Sequence, residues 1–98
     1  MASYERYTAA PVAEVLKRAE EILISRLPIQ RTAATGHSVT LSGGDGTVTF
    51  SAHRHGPDTA VLAETDQLRT SRLDNDVQYV MTLLAYQPDD VMPVREQP

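Results

Sequence analysis

The sequence predicts an α+β domain: an antiparallel meander sheet of three to five strands with two helices packed on one of its faces. Three observations carry this expectation. Val12, Val15, Leu16, Ala19, Ile22, Leu23 and Leu27 recur at three- and four-residue steps, the period of an amphipathic helix. Residues 47–55 change to strict alternation, with Val48, Phe50 and Ala52 on one side and Thr47, Thr49, Ser51, His53 and His55 on the other. Leu73, Val77, Val80, Met81 and Leu84 then restore the helical period.

Taken in order, residues 3–8 alternate loosely around Tyr4 and Tyr7 and read as a short first strand or an arm. The first helix starts near Pro11, which suits a first helical turn because its missing amide proton is not needed there, with Thr8 or Ala10 at the cap. Pro28 ends it. Glu14 and Arg18 stand four apart in the favourable order and are expected to pair on its outer face. Residues 29–35 read as a short strand or an extended connection. Residues 37–42 follow as a strand with Val39 and Leu41 inward, and the same parity puts His37 at the core margin. The run Gly43, Gly44, Asp45, Gly46 permits a hairpin into residues 47–55. If these four residues form the loop, Leu41 falls opposite Val48 and Val39 opposite Phe50. A turn at Gly56, Pro57 and Asp58 leads to a strand over residues 59–65 with Val61 and Ala63 inward. Thr70 or Ser71 caps the second helix, and Asp74 completes a capping box if the cap is Ser71. That helix must end before Pro88. Residues 1–88 are therefore expected to form a single domain, with residues 89–98 as a flexible C-terminal tail.

Bulk composition narrows the function classes. Ninety-eight residues suffice for one two-layer core, and 41% aliphatic and aromatic residues against 22% charged ones argue for a folded chain. The absence of cysteine removes disulfides, thiolate nucleophiles and cysteine-ligated metals. A formal charge of −4, with the arginines scattered among acids, speaks against nucleic acid, whose backbone demands clustered cations. No run is apolar enough for an export signal or a membrane span, so the expected location is the cytoplasm.

A strand, a helix after Ala10, Pro11 and Val12, an antiparallel run and a long final helix resemble the element order of helix-grip domains of the START and polyketide-cyclase type. The same order is similar to one half of a TATA-binding protein. Residues 4–23 and 68–86 carry both resemblances, through periodicity rather than a motif. The helix-grip resemblance implies an apolar small molecule or lipid held between the last helix and the sheet. Val80, Met81 and Leu84 would face it from the helix, with Phe50 and Val39 below.

One constellation resembles a metal site. His53 and His55 are two apart on a strand and project from the same face, with Asp58 or Asp45 as a third ligand for zinc, nickel or copper. The competing reading is a pair of solvated histidines at a strand end. Ser38, Ser42 and Ser51 lack a nucleophile elbow, and the glycine-rich turn lacks the Lys-Ser/Thr and helix of a phosphate loop. No catalytic residue and no cofactor is assigned. Tyr79 and Tyr86, seven apart on the second helix, read either as a flank packed under the N-terminal arm or as a partner-binding stripe. Three readings of function follow. The first is a soluble non-enzymatic binding or assembly module, self-associating because an open sheet leaves edges to satisfy. The others are an apolar-ligand domain and a histidine-dependent metal site or enzyme.

Overall fold

A strand opens the structure, a computed structural model that describes residues 2–84. β1 (Ala2–Thr8) is followed by α1 (Val12–Arg26), β2 (Ile29–Ala34), β3 (Ser38–Gly43), β4 (Gly46–His55), β5 (Asp58–Thr65) and α2 (Arg72–Leu84). The five strands form one antiparallel sheet in the order β1-β5-β4-β3-β2, so the first strand returns to lie beside the last. Both helices pack on the same face, as the one-sided alternation of the strands requires. The domain boundary expected at residue 88, the tail after it and Tyr86 lie outside the described residues.

The apolar stripes and alternations meet in one core. Val15, Leu16, Ala19 and Leu23 of α1 and Leu73, Val77, Val80, Met81 and Leu84 of α2 are buried against Val39, Leu41, Val48, Phe50, Ala52, Val61 and Ala63 of the sheet. The central hairpin has the expected register, Leu41 opposite Val48 and Val39 opposite Phe50. Its loop is only Gly44 and Asp45, because Gly43 and Gly46 already pair across the strands. Gly46 takes φ +125°, a conformation open to glycine and strained for a side chain.

Gly43 is needed for space. A Cβ there would lie 2.3 Å from the Pro28 carbonyl oxygen and 3.0 Å from the Ile29 Cα, both backbone atoms of the segment entering β2. Gly43→Ala is expected to prise β2 from β3 and cost about 2 kcal/mol. Gly44→Ala, which meets nothing within 4 Å, serves as its control. Equal midpoints for the two variants in urea denaturation would refute this account of the β2–β3 join.

Several local expectations are corrected. Pro11 is itself the cap residue of α1, with extended ψ of 155° and no side-chain cap bond, because Thr8 Oγ1 is turned to accept the Ala10 amide instead. The Glu14–Arg18 pair does not form. Arg18 shares a helix row with Ile22 and Arg26, the flank that meets α2, and buries one guanidinium nitrogen without a hydrogen-bond partner. Among the described residues the ion pairs are Arg31–Glu20, at 3.5 Å, and Arg26–Asp76, at 2.8 Å. Arg26 also lies over the Tyr79 ring, 4.3 Å from its centroid, so Tyr79 packs under an α1 arginine and not under the N-terminal strand. His37 is exposed: the bend before β3 swings it out of the parity it shares with Val39 and onto the ring of His53.

Candidate functional site

The alternation of β4 sets a row of polar side chains, including two histidines, on one face of the sheet. Thr47, Thr49, Ser51, His53 and His55 do occupy the face opposite the helices, and in its upper part hydroxyls pair across strands, Thr40 with Thr49 at 3.0 Å and Ser42 with Thr47 at 2.9 Å. These contacts leave each hydroxyl half-buried and partnered. The imidazoles part company. The His53 ring stacks on His37, with centroids 5.5 Å apart, while His55 meets the edge of Tyr7 at 5.6 Å. Asp58 faces His55 in the β4–β5 register. Among the described residues no three His, Asp or Glu side chains gather closely enough to hold a metal ion. His37 as the neighbour of His53 was not legible, since strand parity aims it at the other face.

Val39, Phe50, Val80, Met81 and Leu84, the residues that would line an apolar ligand site, are all buried side chains of the one continuous core. They touch the sheet and helices from which the resemblance would draw a ligand. Val39 also borders a surface groove.

A polar centre lies under the N-terminus of α2. Asp74 is 0% exposed and its carboxyl accepts three hydroxyl hydrogen bonds. Ser71 donates to Oδ1 at 2.8 Å; Tyr4 and Thr65 donate to Oδ2 at 2.6 and 2.9 Å. The Asp74 amide donates to Ser71 Oγ at 3.0 Å, which makes Ser71 the cap, but the Ser71 amide goes to the Leu68 carbonyl at 2.9 Å, so the reciprocal half of the expected capping box is replaced by the hydroxyl–carboxyl bond. Tyr4 reaches this centre from β1, with Gln78 Nε2 3.5 Å from its hydroxyl and the Arg69 guanidinium over its ring. Burial, the bond to Asp74 and that carboxylate's charge push the Tyr4 hydroxyl up to about 12, against the smaller opposing pull of Arg69. Tyr4, Thr65 and Asp74 are buried and bonded to one another, so the centre ties β1 and β5 to α2. Ser71 as the cap and Asp74 as its partner were legible; the exact bonding between them was not. Tyr4 was not, because a tyrosine near a chain end carries no signal of a partner seventy positions away.

Asp66 anchors the far end of β4 from outside the core. Its carboxyl accepts the Thr47 amide at 2.9 Å and Gln67 Nε2 at 3.1 Å, and these bonds hold it below the usual carboxylate range. A depressed folded-state value means that this contribution to stability is present above the unfolded carboxylate range and is lost as pH falls through the folded one.

Clefts also mark the surface, one between the end of α1 and the start of α2 lined by Arg26, Thr70, Arg72 and Asp76, and others along a seam between α1 and β2. The helix covers the sheet centre and stops short of the edge, leaving residues 30–34 exposed. At one end of the seam Ala13, Leu16, Lys17, Glu20, Arg31, Ala34 and Val39 line a groove of about 480 Å³. At the other end Ile24, Leu27, Pro28 and Ile29 line a second of about 370 Å³. The Arg31–Glu20 ion pair bridges the seam. β2 is also irregular, with a bulge between Arg31 and Ala33.

These features define the chain as an α+β protein with an open-faced five-stranded sheet and no helix long and apolar enough to cross a membrane among its described residues. No protein-family model matches the chain, and no curated protein matches it.

Proposed function

We propose that this chain is a small non-enzymatic assembly module that pairs with a second copy of itself. The observation that carries the reading is the incomplete covering of the sheet: among the described residues both helices lie on one face, and the sheet ends in β1 and β2, each paired on one side. An edge strand presents a row of backbone donors and acceptors that a second strand can complete. A domain of this size has a small core, and pairing adds burial that the single chain lacks. The polar centre at Asp74 supports the same reading, since its chemistry is spent on holding β1 and α2 together.

Sedimentation velocity across a concentration series, from low to several hundred micromolar, tests it. The expected result is a sedimentation coefficient that rises with concentration toward the value of a dimer. A chain that remains a monomer throughout the series overturns the proposal.

A further inference from the structure

We infer that the pairing surface is the α1–β2 seam, joined to the same seam of a second copy about a two-fold axis perpendicular to the sheet beside β2. The inference rests on the assembly reading above and names the surface that performs it. Such an axis sets β2 antiparallel to its mate, keeps the helices of both copies on one face and runs the two α1 helices in opposite directions.

The flank of α1 that faces the seam is self-complementary under this operation. Its side chains, in order, are Ala13, Lys17, Glu20, Glu21 and Ile24. Reversed against itself about a point between positions 18 and 19, the flank sets Lys17 against Glu20 and Glu21 of the mate. Ile24 then meets the Ala13 end. Each Lys17 is therefore faced by carboxylates of the mate, and symmetry makes the contact twice, once on each side of the axis. Ile24, a large apolar side chain 42% exposed, is carried to the groove floored by Ala13, Leu16, Ala34 and Val39. An exposed aliphatic side chain at one end and an apolar-floored groove at the other are the two halves of an isologous contact.

The strand fits the same axis. From Ala13 to Ile24 the helix rises about 16 Å at 1.5 Å per residue, and from Ile29 to Ala34 the strand runs about 16 Å at 3.3 Å per residue. Arg31, near the middle of β2, meets Glu20, near the middle of the flank. Helix and strand are thus centred on one point, and a single axis serves both. The bulge at Thr32 falls beside that axis, which leaves the ends of β2 to carry the strand pairing. Ala33 and Ala34 are small enough to admit it.

The test uses the full chain and three surface variants, Ile24→Asp, Lys17→Glu and Glu21→Lys, together with the double charge reversal. All three positions are exposed, so each variant should keep the far-ultraviolet circular dichroism of the parent. Ile24→Asp is expected to leave only monomer. Either single reversal is expected to weaken pairing about tenfold, and the double reversal to restore it, as coupled charges across an interface do. A dimer whose dissociation constant is unmoved by all three variants overturns the seam and leaves the assembly reading standing. A wild-type monomer removes both, with the bulge then acting as a guard on the edge.

Discussion

Replacing Asp74 by alanine is expected to destabilise the domain by about 3 to 4 kcal/mol, because the hydroxyls of Tyr4, Thr65 and Ser71 lose their shared acceptor and the helix N-terminus loses a favourable negative charge. The reason lies in how many groups one carboxyl serves. Ser71, Thr65 and Tyr4 all donate to it, and it has no exposure through which water could take its place. For a domain of this size the loss is a large share of the total stability, and the melting temperature should fall by roughly 15 to 25 °C. Tyr4→Phe removes one donor and should cost about 1 to 1.5 kcal/mol alone, yet almost nothing when Asp74 is already alanine. Such non-additivity is the signature of direct coupling. Additive losses in urea denaturation would refute the idea that Tyr4 acts through Asp74.

The same pair sets an alkaline limit. Because the folded-state value of Tyr4, about 12, lies above the ordinary tyrosine value of about 10, the neutral hydroxyl is the form the fold favours. Its contribution is fully present below pH 10 and is lost as pH rises through 12, an effect of roughly 1 to 2 kcal/mol. In the Tyr4→Phe variant this part of the alkaline loss should vanish. Identical stability profiles for the two proteins between pH 9 and 12 would count against it.

Phe50→Ala is the second large effect, with an expected cost of about 3 to 5 kcal/mol. Phe50 is the only phenylalanine in the chain and is 0% exposed on the central strand, where it pairs with Val39 on one side and Ala63 on the other. Valine and alanine neighbours across the sheet are too small to close the gap it leaves. Chemical denaturation gives the measurement, and Phe50→Leu provides a comparison that keeps more of the volume and should lose less. A cost below about 1 kcal/mol would mean that the site collapses readily, contrary to the close packing of an interior.

Much of this architecture was written in local pattern. The register of the central hairpin followed from two facts, the alternation through Val39, Leu41, Val48 and Phe50 and the glycine-rich turn between them. Val61 and Ala63 were placed inward by the tight turn at Pro57 and Asp58, and both are buried. What escaped was non-local. Whether Asp74 is a solvated cap or a buried hub depends on Tyr4 and Thr65 arriving from two strands, which no window of sequence contains. His37 obeyed parity until a bend outside the strand turned it. The seam between α1 and β2 depends on how far the helix reaches across the sheet, a property of packing between elements rather than of either element's pattern. The interplay of His53 and His55 was half legible: their shared face was, their separate ring partners were not.

The Tyr4–Asp74 bond has one more meaning when the chain is considered in time. A polypeptide leaves the ribosome from its N-terminus, so β1 emerges before its neighbour β5 and before its anchor on α2. Tyr4 must therefore wait, unpaired, through the synthesis of seventy further residues before its acceptor exists. The intervening hairpins can form as they appear, since their contacts are close in sequence. Closure of the sheet by β1 therefore follows the emergence of β5 and α2, and the nascent domain stays open at that edge until both have left the ribosome.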